Sequence, residues 1–145
     1  MIIQTKYHGE IDVKETAVIK FDNGIPGFGD EKGFLLLPLE QDSPFLILQS
    51  VQTAELGFVV VNPFQFIADY EFDLSEADKE ALEIESEKDV EVYAILTVKE
   101  QFEETTANLQ APIILNRSGK KAKQIILNDQ KYSIKCNIFA QTQQK

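Results

Sequence analysis

The sequence predicts a mainly β protein, a small antiparallel β-barrel-like domain with one short helix. Three observations predict it. Apolar residues fall in short runs, several of them alternating with polar residues at the two-residue period of a strand. Gly, Pro, Asn and Asp separate these runs, as turns require. The repeated long helices that a parallel doubly wound sheet needs between its strands are missing. The strands should therefore pair mainly antiparallel, in a barrel or strongly curved sheet that leaves few exposed edges.

Taken in order, residues 2–7 and 17–21 are the first strand segments, with Val18 and Lys20 alternating against Ile19 and Phe21. Asn23-Gly24-Ile25-Pro26-Gly27-Phe28-Gly29 is a loop, because its glycines reach positive φ and Pro26 fixes its own φ near about −65°. Residues 34–39 and 45–49 predict a hairpin around Gln41-Asp42-Ser43-Pro44, and the strand over 57–62 stops at Pro63, which lacks a ladder donor. Ser75 caps a helix of two to three turns, and Asp78 three residues later completes a capping-box-like pattern. Glu76, Asp78 and Glu80 suit its positive end, while Ala77, Ala81 and Leu82 make a narrow apolar face.

Beyond the helix, Val90, Val92, Ala94, Leu96 and Val98 alternate with Glu91, Tyr93, Ile95, Thr97 and Lys99, the clearest strand in the chain. Residues 113–115, 124–127 and 132–139 are further strands, joined by turns at Asn116-Arg117-Ser118-Gly119 and Asn128-Asp129. The reading is one domain over residues 1–140 with eight or nine short strands, and a tail over 141–145 that should fray.

A length of 145 residues suits one folding unit, and 43% hydrophobic residues with ten Phe argue for a packed core. The opening residues show no basic stretch leading into a long apolar run, and no apolar stretch approaches the ~20 residues that cross a bilayer. The single cysteine, Cys136, allows no internal disulfide. The expected location is cytoplasmic, with no membrane contact. The net charge of −10 is unevenly spread: residues 69–91 hold eleven acids against two lysines, and residues 105–145 hold seven basic residues against one acid. Such a dipole can steer a partner; two solvated faces kept for solubility explain it equally well.

The inventory for catalysis is thin. His8 is the only histidine, set beside Gly9 as a solvated turn residue, and Cys136 reads as a small core side chain within an alternating strand. Neither a multi-histidine site nor a thiolate cluster can form within one chain. No catalytic residue, metal ligand or cofactor is expected. The run Glu80, Glu83, Glu85, Glu87, Asp89 reads as a solvated face and lacks the loop pattern of an EF-hand. Gly24, Gly27 and Gly29 lack the order of a phosphate loop. Arg117, Lys120, Lys121 and Lys123 form a basic cluster without interleaved aromatics, read as a hairpin kept soluble and not as a nucleic-acid site. Binding follows by elimination. The rival is a small carbohydrate-binding or hydrolytic β-barrel, which needs a concave pocket with convergent acids or aromatics. Three loops place apolar residues outside the strands: Gly24 to Phe28, Pro63-Phe64-Gln65-Phe66, and Thr106 to Pro112.

Several segments resemble the FliW family of bacterial flagellar assembly factors. They are Phe21-Asp22-Asn23-Gly24-Ile25-Pro26-Gly27-Phe28, Ser43-Pro44-Phe45 with Leu48-Gln49-Ser50, and Asn62-Pro63 with Asp69-Tyr70. Thr106-Ala107-Asn108-Leu109-Gln110-Ala111-Pro112, Asn116, and Gln124 ahead of Tyr132 continue the series. They keep their order across the domain, and the Gly-Ile-Pro-Gly-Phe and Ala-Asn-Leu-x-Ala-Pro pieces together are specific. The resemblance implies a compact β-barrel-like cytoplasmic protein that binds flagellin and the CsrA dimer, a translational regulator, in mutually exclusive fashion. It implies relief of CsrA repression of flagellin synthesis by protein–protein antagonism, with docking away from the RNA groove and no direct binding of nucleic acid. Phe28, Phe45, Tyr70, Asn108 and Leu109 are the candidate partner contacts, with Glu83, Glu85 and Glu87 as electrostatic contributors.

Overall fold

A computed structural model of the chain describes residues 1–22, 24–25, 27–40, 43–67, 70–127 and 132–138. The order of elements is β1 (Ile2–Thr5), β2 (Gly9–Asp12), β3 (Ile19–Lys20), β4 (Gly33–Pro38), β5 (Leu46–Ser50) and β6 (Gly57–Val61). Then come α1 (Glu76–Ala81), β7 (Val90–Thr97), β8 (Thr106–Ala107), β9 (Ile113–Asn116), β10 (Lys121–Gln124) and β11 (Cys136–Asn137). Among the described residues, seven strands run β7-β6-β5-β4-β3-β10-β9, and β9 pairs back on β7 to close the ring. The pairing is antiparallel except where β3 meets β10, in parallel, at Lys20 and Lys121. The fold is mainly β, a closed seven-stranded barrel with one short helix.

One long strand makes closure possible. The first half of β7, Val90 to Tyr93, pairs with β9, while Leu96 and Thr97 pair with β8. β8 in turn carries β11, so a small flap extends from the barrel wall.

Alternation along the strands sorts apolar side chains into two cores. Ile19, Phe34, Leu48, Val60, Ile113, Leu115 and Ala122 cluster together, with Leu36, Phe58, Tyr93 and Ile95 packed against them. All seven barrel strands contribute, so this is the barrel interior. The opposite faces of β6, β7 and β9 present Val61, Ala94, Leu96 and Ile114 to a second cluster, completed by Tyr70, Leu82, Leu109, Ile125, Tyr132 and Ile138. Both faces of β7 are therefore covered. Its Glu91/Tyr93/Ile95 face, half-polar in sequence, is half-buried rather than solvated.

The expected strand over 17–21 shortens to β3 because Glu15–Ala17 form a 3-10 turn. The strand expected over 124–127 lies earlier, as β10; past Gln124 the chain still bonds backbone to backbone, Ile125 N–H to Pro112 O at 3.0 Å and Leu127 N–H to Gln110 O at 2.7 Å. The expected strand over 132–139 contracts to β11, and Phe139 lies outside the described residues. So do Asn23 and Pro26 of the glycine loop, Gln41 and Asp42 of the first hairpin, Asp69, the turn at Asn128-Asp129, and the tail from Gln141.

The glycine loop needs its glycine at position 24. There φ is +66°, and a Cβ would stand 2.6 Å from the Phe28 carbonyl oxygen. At the end of β5, Gln49 is fully buried: its carboxamide accepts from Lys6 N–H at 2.9 Å and donates to carbonyls of Ser50, Ala54 and Leu56. That one side chain shapes the turn into β6 and ties the β1–β2 hairpin to the barrel.

Ser75 caps α1 as expected, accepting from Asp78 N–H at 3.1 Å. The helix is shorter than predicted, and Ala77 and Ala81 are exposed; Leu82 alone of the three is buried. A different set of contacts docks it. The Asp78 carboxylate meets Lys123 Nζ at 2.6 Å instead of completing a capping box, and Ile84 N–H bonds Lys79 O at 3.0 Å while Glu83 N–H bonds Glu80 O at 3.1 Å. These two backbone bonds form a Schellman motif with Glu83 at φ +56°, a position usually held by Gly. Asn116 locks it, donating to Leu82 O at 2.8 Å and Glu83 O at 3.1 Å.

The two charged blocks do not form opposite faces. The β9–β10 hairpin lies on the acidic segment: Arg117 pairs with Glu91 at 3.3 Å, Lys121 with Glu83 at 2.9 Å, and Ser118 Oγ donates to Asp89 at 2.8 Å. Three cations of the basic block, Arg117, Lys121 and Lys123, thus pair with three acids of the other block.

Candidate functional site

Where the acidic segment leaves the seam it lines an open cleft of about 660 Å³. Two stretches of chain build its walls. Residues 71–74 run without regular pairing, with Glu71 and Asp73 exposed and Phe72 and Leu74 half-buried. Residues 84–87 follow the Schellman turn and repeat the pattern: Ile84 is half-buried, Glu85 and Glu87 are exposed. Val90, Val92 and Ile114 form the floor, and Phe64 stands at the side, 43% exposed and 5.5 Å from the Tyr70 ring. Phe64 is held there because Asn62 caps the 3-10 turn Pro63–Gln65, accepting from Phe64 N–H at 2.9 Å.

The cleft is apolar below and acidic around its rim. Lys79 is the cation among its lining residues, and it pairs with Glu76 at 3.4 Å. Glu71, Asp73, Glu85 and Glu87 carry no ion pair among the described residues. In the wall behind, the Tyr70 and Tyr132 rings meet edge-on at 4.6 Å, and the Tyr70 hydroxyl donates to Leu109 O at 2.6 Å. Burial and the neighbouring Tyr132 push the Tyr70 pKa up, so this hydroxyl stays a protonated donor.

The residues expected to contact partners do not converge on one patch. Tyr70 and Leu109 are each 2% exposed, so their side chains serve the core and not a contact surface. Asn108 is half-buried, with its carboxamide oxygen accepting from Gln110 and Ala111 N–H at 3.1 Å each. Phe45 is half-buried in the outer core, with its ring 6.2 Å from Phe66. Phe28 is 42% exposed at the end of an aromatic row, edge-on to Phe58 at 5.6 Å. Of the three acids, Glu83 is held by Lys121 at the seam, while Glu85 and Glu87 line the cleft. Phe64 lies in one of the three loops that the sequence marks for apolar residues outside the strands; Phe72, Leu74 and Ile84 were not singled out as contacts. Their signal was the acid–apolar alternation of Glu71-Phe72-Asp73-Leu74 and Glu83-Ile84-Glu85, a two-residue period in a segment that joins no sheet.

Among the described residues no group of three or more His, Cys, Asp or Glu is placed to hold a metal ion. His8 sits exposed in the β1–β2 turn, and burial raises the pKa of the half-buried Cys136 thiol, the reverse of what an attacking thiolate needs.

The family profile described as FliW protein matches residues 2–138. The chain belongs to the FliW family. Curated relatives named flagellar assembly factor FliW include those of Bacillus pumilus, 59% identical over 93% of this chain and 94% of the relative, and of Bacillus subtilis, 55% identical over the same shares. A solved structure, the crystal structure of the flagellar assembly factor FliW, superposes with a TM-score of 0.91 at 47% identity, covering 96% of this chain and 97% of that one. Within the family framework, the motif residues Gln49, Asn62, Asn108 and Asn116 prove here to be hydrogen-bonding organisers of turns.

Proposed function

We propose that the chain acts in the cytoplasm as a flagellar assembly factor that partitions between two protein partners, flagellin and the CsrA dimer. Bound flagellin leaves CsrA free to repress flagellin synthesis; export of flagellin frees this protein to take CsrA off its transcript. Family membership across residues 2–138 carries the proposal. The apolar, acid-rimmed cleft supports protein binding, because exposed apolar surface rimmed by polar groups marks interaction sites. Its carboxylates disfavour direct RNA contact by repelling phosphate. Among the described residues no helix is long and apolar enough to cross a membrane.

Size-exclusion chromatography with purified flagellin, CsrA and the flagellin transcript leader tests it. The expected result is a complex with either protein, displacement of one by the other, and no complex with RNA alone. Co-elution with RNA alone, or with neither protein, overturns the reading.

A further inference from the structure

We infer that the cleft between residues 71–74 and 84–87 is a slot for an added β-strand, filled by an extended peptide segment in which apolar and basic residues alternate. The inference concerns this cleft alone and does not depend on the two-partner reading above. Unpaired backbone is the first observation that carries it. Every strand of the barrel has a neighbour on each side. By contrast, Phe72, Asp73 and Leu74 make no backbone hydrogen bond among the described residues, and neither does Glu85 on the facing wall. Both walls are nevertheless anchored at their ends. The Tyr132 hydroxyl accepts from Glu71 N–H and donates to Glu71 O, at 2.9 Å each, and Ser75 caps α1 just beyond Leu74. Ile84 N–H is held in the Schellman motif, and Ser86 accepts from Lys88 N–H at 3.2 Å. Open backbone held at its ends is a template for strand addition.

The side-chain pattern is the second. Along residues 71–74 exposed acids alternate with half-buried apolar residues, the two-residue period of a strand, and Ile84-Glu85 repeats it. An incoming strand has the same period. One set of its side chains then lies over Val90, Val92 and Ile114, while the other stands among Glu71, Asp73, Glu85 and Glu87. The floor selects apolar residues, and the rim carboxylates, which hold no ion pair among the described residues, select Lys or Arg. A helix bonds its backbone to itself and would leave the wall groups unpaired. A nucleic acid strand brings negative charge to an acidic rim. An extended cationic peptide meets both requirements.

Peptide titrations of the isotope-labelled full chain, followed by amide NMR, test this. The probes are the alternating hexapeptide Lys-Val-Lys-Val-Lys-Val, the block peptide Lys-Lys-Lys-Val-Val-Val, and the alternating peptide N-methylated at its valine nitrogens. The alternating peptide should shift amides of residues 71–74 and 84–87 and bind roughly ten-fold more tightly than either control, since the controls lose strand pairing or its register. Glu85→Lys/Glu87→Lys, at two exposed positions, should weaken the alternating peptide most at low ionic strength, with a thermal melt to confirm folding. Equal binding of the block or N-methylated peptide would reveal attraction by charge without strand pairing and overturns the inference. Absence of shifts in the cleft, an unchanged response in the charge-reversed variant, or a stronger response to an oligouridine than to the peptide overturns it too. Each of these results leaves the two-partner reading to the chromatography that tests it.

Discussion

Asn116 does more structural work than its side chain suggests. It is 4% exposed, donates to the carbonyls of Leu82 and Glu83, and accepts from Gly119 N–H at 3.3 Å. One carboxamide thus closes the hairpin turn after β9 and holds the left-handed Glu83 at the end of α1. Asn116→Ala strands buried carbonyls and should cost about 2 kcal/mol. Urea unfolding should show a lower midpoint with an unchanged slope, since the surface exposed on unfolding stays the same. Asn116 was visible in the sequence as a turn residue. Its reach to residues 33 and 34 positions away was not, because local spacing carries no information about such a partner.

At the scale of elements, α1 is held by charge and one apolar anchor. Its six residues cannot persist alone, and its alanines face solvent. The bond from Lys123 is the main cause that holds the Asp78 pKa below its ordinary value, and burial opposes it. A depressed folded pKa means that the unfolded chain takes up the proton more readily. The stabilisation is therefore complete above the unfolded value of about 3.9 and is lost as pH falls through the lower folded value. Lys123→Met should lower stability at neutral pH by roughly 0.5–1 kcal/mol, a modest figure because the lysine is partly exposed. Denaturation at neutral pH and in strong acid checks this: the gap between variant and wild type should close in acid. A gap that persists would assign the loss to packing of the lysine stem.

At the scale of the molecule, the barrel interior and the outer cluster share the two faces of β6, β7 and β9. Neither core can open without stripping a strand from the other, so unfolding should be a single cooperative transition. Tyr93 packs against the interior while Tyr70 and Tyr132 lie in the outer cluster. Near-UV signals from these tyrosines and the far-UV signal of the strands should therefore superimpose through a urea titration. Two separated transitions would show the cores to be independent.

The β class, the serine cap and the glycine loop were legible in the sequence because each depends on residues within one turn or one strand, and the antiparallel bias and the kinship to FliW proteins because element pattern and motif order run along the chain. The strand edges from 121 onward were less legible, since β10 is selected by its partners β9 and β3 more than by its own Lys-Ala-Lys-Gln pattern. A barrel-like sheet was expected from the sequence, but the pairings that close it, β9 on β7 and one parallel step of β3 on β10, were decided by the tertiary structure alone. So was the cleft. The sequence determined how many carboxylates residues 69–91 carry, but only the fold, by laying the basic hairpin across part of them, decided which of the described ones pair with it. The physical reason is range: strand period and capping act between near neighbours, whereas charge pairing depends on distances that exist only once the chain has closed on itself.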